Sequence, residues 1–104
     1  MAILLSGATA TGAGSAVPME AGFHAASAYG LTTAGAGAAT INIEVSNTGT
    51  AGTWITVATL TPVLATTVAA GTPDGASLIT GWNYIRANCT AISGTDAAIT
   101  VDLS

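Results

Sequence analysis

Residues 84–103 read YIRANCTAISGTDAAITVDL and carry the clearest structural pattern of the chain. Apolar side chains occupy every second position, at Ile85, Ala87, Cys89 and Ala91 and again at Ala97, Ile99, Val101 and Leu103. A period of two predicts β-strands that bury one side and expose the other. Residues 93–96 (SGTD) separate the two runs at hairpin length, so we predict that the strands pair antiparallel.

The same alternation appears in the middle of the chain. Ile41, Ile43 and Val45 alternate with polar residues that we expect to face water, namely Thr40, Asn42, Glu44 and Ser46. Content of β-branched and aromatic residues predicts further strands at 53–60 (TWITVATL), 62–68 and 76–80. Residues 20–29 are rich in alanine, and their pattern fits either a short helix or a strand.

Glycine and proline mark the predicted breaks between these strands. We expect loops at residues 35–37 and 48–52 and a turn at residues 73–75 (PDG). Short strands spaced by about 8–12 residues are typical of a sandwich or barrel. We therefore predict an all-β fold, a single antiparallel β-sandwich, with the jelly roll as one form of it. Residues 19–104 would form the sandwich, and the glycine-rich residues 1–18 an extended N-terminal arm or edge segment.

Charge excludes several classes of function. The 104 residues include one arginine and no lysine, only 6% are charged, and the net charge is −4. One arginine cannot displace counterions from nucleic-acid phosphates, and the basic or amphipathic face of a membrane-surface protein is missing. No stretch approaches the ~18 apolar residues of a membrane-spanning helix. We therefore expect neither nucleic acid nor a membrane as a partner.

Reactive side chains are few and scattered. His24 is the only histidine, and no G-x-S-x-G sequence provides a nucleophile elbow beside it. A zinc site needs three or four histidine, cysteine or carboxylate ligands, and a calcium site usually needs several neighbouring carboxylates. Cys89 is the single cysteine, and its parity predicts a small buried side chain. We expect no catalytic residues, no cofactor and no metal.

Four aromatic or basic side chains are candidates for protein contact. Tyr84 and Arg86 share the outward side of one predicted strand, and both residue types are enriched in interface hot spots. Trp54 and Trp82 have three possible roles: core packing, which is favoured, contact with another subunit, or a platform on which sugars stack.

Two segments resemble parts of small virion proteins of tailed bacteriophages. Residues 43–54 (IEVSNTGTAGTW), followed by ITVATLTP, resemble a strand–loop–strand of the form V-x-S-N-x-G-x-x-W-x-x-L. Residues 81–96 (GWNYIRANCTAISGTD), followed by AAITVDL, are similar to a closing hairpin of the form Y-I-R-A-N-V-T-A-x-S-G-T. The two segments cover about half of the chain. Cys89 stands where the second pattern has an aliphatic residue.

The resemblance implies a capsid decoration (cement) protein or a related head or tail accessory protein. Such a protein is made in the host cytoplasm and binds the outside of the shell. It bridges units of the major capsid protein there, often as a dimer or trimer. The motifs are structural, so no catalytic residue is implied. The alternative is a carbohydrate-binding β-sandwich module of a tail or fibre, in which Trp54 or Trp82 would be exposed to sugar.

Overall fold

The computed structural model describes residues 2–19, 25–66, 70–78 and 81–104. These residues form the strands β1 (Ala2–Ala8), β2 (Gly12–Ala13), β3 (Val17–Pro18), β4 (Ala25–Leu31), β5 (Ala34–Ser46), β6 (Ile55–Leu60), β7 (Asp74–Ser77), β8 (Tyr84–Thr95) and β9 (Ala98–Leu103). Within the described ranges there is no helix long and apolar enough to cross a membrane.

The strands form two antiparallel sheets that pack on one core, so the predicted all-β sandwich is confirmed. Sheet 1 has the order β1-β9-β4-β7. Sheet 2 has the order β2-β8-β5-β6, and β3 also pairs with β8. If β2 and β3 are counted as one interrupted strand, the chain order is 1-8-3-6 in sheet 1 and 2-7-4-5 in sheet 2.

Residues 2–18 contribute to both sheets. β1 pairs with β9 at one edge of sheet 1, and β2 and β3 pair with β8 at one edge of sheet 2. Among the described residues, β1, β2 and β3 therefore each form backbone hydrogen bonds with a single neighbouring strand, as edge strands do.

The core lies between the inward sides of the two sheets. Ile41, Ile43 and Val45 of β5 are fully or almost fully buried, as their alternation predicts. All but one of the other inward residues predicted from alternation are also buried, namely Ile85, Ala87, Cys89, Ala97, Ile99, Val101 and Leu103. Burial of these apolar side chains is the main force that holds the sheets together.

Ala91 does not follow the prediction. Thr40 pairs with Ala91, but Ile41 pairs with Cys89, so β8 has one extra residue, Thr90, at this point. Such a bulge reverses the sides on which the following residues lie. Ala91 is therefore exposed, and Ile92 packs against the core instead.

The predicted hairpin at residues 93–96 is wrong. β8 continues to Thr95, which pairs with Ala34 of β5, and the chain then turns at Asp96, whose φ is 50°. β9 follows in sheet 1, between β1 and β4. Two consecutive strands that face the same core from opposite sheets show the same alternation as two strands paired in a hairpin. The alternation therefore could not distinguish the two arrangements.

Two other predicted breaks lie inside strands. Residues 35–37 belong to β5, where Gly37 is buried, and a Cβ on Gly37 would lie 2.6 Å from Thr32 Cγ2 and 2.9 Å from the Ser93 carbonyl oxygen. The glycine there permits close packing rather than a loop. Residues 74–75 begin β7, which ends at Ser77, so no turn forms at 73–75. The loop at 48–52 is confirmed.

The remaining strand predictions are met in part. β6 covers most of residues 53–60. Within residues 62–68, Val63 and Ala65 form isolated bridges instead of a strand, and residues 67–68 lie outside the described ranges. Of residues 20–29, the part from Ala25 onward is strand, and 20–24 are outside the described ranges. Of the strand predicted at 76–80, residues 76–77 belong to β7, and residues 79–80 lie outside the described ranges.

Leu64 closes one end of the sandwich. Its amide donates to the Gly37 carbonyl of sheet 2 at 2.9 Å, and the next amide, that of Ala65, donates to the Gly30 carbonyl of sheet 1 at 2.9 Å. The Leu64 side chain is 2% exposed. One short segment therefore ties both sheets together without forming a strand of its own.

Candidate functional site

A charged pair lies on the outward side of sheet 2. Glu44 of β5 and Arg86 of β8 are directly opposite in the register, and Arg86 Nε donates to Glu44 Oε1 at 2.7 Å. Asn88 Nδ2 donates to Glu44 Oε2 at 3.4 Å. Glu44 was expected to face water, yet it is only 8% exposed, because the neighbouring side chains cover it and satisfy its charge.

Trp54 lies against the same guanidinium. Arg86 Cζ is 4.3 Å from the centre of the Trp54 ring, within the range of a cation–π interaction. Trp54 is half-buried, and one face of its indole is occupied by Arg86. Sugar stacking on Trp54 could therefore use only the opposite face of the ring.

Tyr84 packs beneath the turn that connects β5 with β6. A Cβ on Gly49 would lie 3.3 Å from the Tyr84 ring, and Gly49 has a φ of 73°, which favours glycine. Ser46, opposite Tyr84 in the register, accepts from the amides of Thr48 and Gly49 at 3.2 and 2.9 Å. These bonds explain why Ser46 is fully buried, although its alternation predicted exposure to water.

The structure brings three of the four predicted contact residues to one region. Trp54, Tyr84 and Arg86 lie on the outward side of sheet 2, and all three are half-buried through contacts within the chain. Trp82 is separate, since it packs against the hydrophobic core. A contact role for these residues remains a prediction.

A second surface was missed by the sequence patterns. The outer face of sheet 1 includes Ile3, Ser27, Tyr29, Leu31, Ala98, Thr100 and Asp102. Three of its large side chains are well exposed: Ile3 at 55%, Tyr29 at 44% and Leu31 at 65%. β4 buries the small Ala26 and Ala28 instead. The sequence of β4 places small side chains on one side and large side chains on the other, but this pattern does not show which side is buried.

Tyr29 and Asp102 interact on this face. The Tyr29 hydroxyl donates to Asp102 Oδ2 at 2.9 Å. This hydrogen bond, with smaller effects of desolvation and of the negative charge, raises the pKa of Tyr29 above its ordinary value. Asp102 Oδ1 receives no hydrogen bond from the described residues, so the carboxylate keeps an open acceptor.

A third exposed apolar surface is the β6 edge, formed by Ile55 and Val57. These side chains are 50% and 41% exposed. β6 is the terminal strand of sheet 2 and pairs with β5 alone within the described part of the chain. An edge strand with apolar side chains and no charge is able to pair with another chain.

The remaining reactive groups do not converge. Within the described ranges, no three histidine, cysteine, aspartate or glutamate side chains lie close enough to hold a metal. Cys89 is buried as predicted, and burial raises the pKa of its thiol. An open depression of about 500 Å³ beside the turn at Asp96 is lined by Thr9, Ile92, Gly94, Asp96 and Ala97. His24 lies outside the described residues.

Comparisons with protein-family models, with curated proteins and with solved structures found no match to this chain. The function is therefore inferred from the surfaces of the molecule and from the motifs in its sequence.

Proposed function

We propose that this protein is a non-enzymatic structural protein of a phage virion. It binds the outer surface of the capsid and stabilises the shell by bridging units of the major capsid protein, as a decoration (cement) protein does. The resemblance of residues 43–54 and 81–96 to small virion proteins suggested this role.

The observation that carries the proposal is the presence of apolar side chains on two separate surfaces. Ile3, Tyr29 and Leu31 are exposed on the outer face of sheet 1, and Ile55 and Val57 on the β6 edge of sheet 2. Grouped exposed apolar residues mark sites of interaction between proteins. Because the two surfaces belong to different sheets, one molecule could contact two neighbouring units at once, which bridging requires.

The strand order also supports the proposal. We propose that the two sheets form a jelly roll of eight strands, and the orders 1-8-3-6 and 2-7-4-5 are the support for this. Viral capsid domains and lectins are among the proteins that use this architecture.

The composition of the surface favours tight docking. Only 6% of the residues are charged, so few charged groups would lose their water on contact. Alanine, glycine, serine and threonine also lose little side-chain entropy when a partner orders them. We expect the protein to act as a dimer or trimer on the shell.

The alternative is a carbohydrate-binding module of a tail or fibre. It requires an aromatic ring with an open face, and Trp54 already has Arg86 against one face while Trp82 packs on the core. These contacts reduce the tryptophan surface that is open to a sugar, so the capsid role is favoured.

Co-sedimentation with capsids emptied of DNA and stripped of accessory proteins tests the proposal. We expect saturable binding at a ratio matched to the symmetry sites of the shell, and a rise in the melting temperature of the shell. The variants Leu31→Ser and Val57→Thr should each reduce that rise, because each weakens one of the two surfaces. Ala51→Ser, in the exposed turn between β5 and β6, is the matched control.

Absence of binding by the wild-type protein would reject the capsid role. A titration of tryptophan fluorescence with sugars would then test the alternative.

A further inference from the structure

The outer face of sheet 1 combines apolar side chains with one acid. Ile3 and Ser27 both lie opposite Asp102 in the register, and Tyr29 and Leu31 follow along β4. Asp102 is the one charged side chain that the register places on this face within the described part of the chain. The face is therefore an apolar surface with a single negative group among its side chains.

The Asp102 carboxylate is oriented but only partly satisfied. Tyr29 donates to Oδ2 at 2.9 Å, and no described residue donates to Oδ1. Covering this face with an entirely apolar surface would remove water from a charged oxygen without replacing its hydrogen bonds, which is costly. A partner that covers it should therefore bring a donor, and a charged donor gives the strongest hydrogen bond.

A second copy of the chain cannot supply that charged donor from a lysine or arginine. The sequence contains no lysine, and its one arginine, Arg86, is paired with Glu44 on the other sheet. A two-fold dimer through the outer face of sheet 1 would also bring two Asp102 carboxylates into one apolar interface. Juxtaposed like charges oppose such an interface.

We propose that the outer face of sheet 1 docks a different protein, which places a lysine or arginine on Asp102 and apolar side chains on Ile3, Tyr29 and Leu31. This inference rests on the proposed function in one respect: on the virion, the partner would be a basic patch of the capsid shell. Self-association, where it occurs, uses another surface of the chain.

The first test needs no capsid. The probe is N-acetyl-leucyl-arginine amide, which combines an apolar side chain with a guanidinium, and its neutral control is N-acetyl-leucyl-citrulline amide. Backbone amide chemical shifts of the full-length, isotope-labelled protein are followed during titration. We expect the arginine probe to shift residues 3, 29, 31 and 102, and Asp102→Asn to weaken its binding about threefold. Shifts centred on residues outside this face, or equal binding of the citrulline probe, would overturn the proposal.

The second test uses stripped shells and separates this inference from the proposed function. If the wild-type protein binds shells, we expect Asp102→Asn and Leu31→Ser to weaken binding about tenfold. Ala51→Ser, in the exposed turn between β5 and β6, should change binding less than twofold. Binding of wild-type strength by both face variants would refute the inference and leave the capsid role intact. Absence of wild-type binding would reject the capsid role, and the peptide titration would still decide the inference.

Sedimentation velocity tests whether a second copy of the chain, rather than a different protein, covers the outer face of sheet 1. The oligomeric state of Leu31→Ser should equal that of the wild type. Dissociation of an oligomer by this substitution would identify the face as a contact between copies and would contradict the proposal.

Discussion

Arg86 and Glu44 form an ion pair across β8 and β5, with 2.7 Å between Nε and Oε1, on the outward side of sheet 2. The Glu44 side chain is 11% exposed and that of Arg86 25%, so the pair is largely shielded from water. Trp54 provides part of this shielding, since its ring centre lies 4.3 Å from Arg86 Cζ.

Arg86→Ala should destabilise the protein by about 2 kcal/mol, because Glu44 would remain nearly buried without its cation. The double variant Glu44→Leu/Arg86→Met should recover most of this loss, since it removes both charges and retains the volume. Urea unfolding of the single and double variants measures the difference. Equal stability of Arg86→Ala and wild type would show that solvent already satisfies Glu44.

The bulge at Thr90 predicts that the same substitution will reduce stability by different amounts at two adjacent positions. Ile92→Asn should cost about 2 kcal/mol because Ile92 packs against the core, whereas Ala91→Asn should change stability by about 0.5 kcal/mol or less. The same residue is introduced at both positions, so each variant is the control for the other. A larger loss for Ala91→Asn in denaturant midpoints would support an uninterrupted alternation instead.

Gly30 should not tolerate a side chain. A Cβ there would collide with the carbonyl oxygen of Ala98 and lie 3.0 Å from Leu64 Cδ2. Gly30→Ala is therefore expected to cost about 3 kcal/mol through overpacking. The control is Gly52→Ala, where open space surrounds the Cβ and only the φ of 82° opposes alanine, at about 1 kcal/mol. Thermal unfolding of both variants tests the difference, and equal losses would contradict the close packing.

The Tyr29–Asp102 hydrogen bond predicts a dependence on alkaline pH. The pKa of Tyr29 is raised in the folded state, so the protonated phenol contributes stability that is present below its ordinary pKa of 10.0. That contribution is lost as the pH rises through the folded-state pKa. In a Tyr84→Phe variant, Tyr29 is the remaining tyrosine, and its ultraviolet absorbance reports the titration.

Asp102→Asn in the same background should lower the pKa of Tyr29 toward its ordinary value, because the hydrogen bond to the carboxylate that holds the phenol proton is lost and, to a smaller extent, because the negative charge is removed. An identical titration midpoint with and without Asp102 would show that the hydrogen bond does not persist in solution.

The outward side of sheet 2 was only partly predictable. Alternation correctly assigned Arg86 and Glu44 to the same side of their strands, but it expected both to face water. Their burial depends on pairing between residues 42 positions apart and on Trp54 from a third segment. Local periodicity contains no information on such contacts.

The exposure of the outer face of sheet 1 was not predicted. Tyr29 and Leu31 are larger and more apolar than Ala26 and Ala28, so hydrophobicity alone would place the larger pair inside. The structure reverses this: Ala26 and Ala28 are buried against the core, and Tyr29 and Leu31 are exposed on the opposite side of β4.

Sequence pattern alone was enough to predict strands and the core-facing sides of β5 from Ile41 to Val45, of β8 as far as Cys89, and of β9. The reason is that period-two alternation and burial of apolar side chains act locally along each strand. The sheet that each strand joins depends on contacts between distant segments, as β8 and β9 illustrate on either side of Asp96. Alternation defines the buried side of a strand but not its neighbour, and pairing depends on backbone hydrogen bonds and packing with residues distant in the chain.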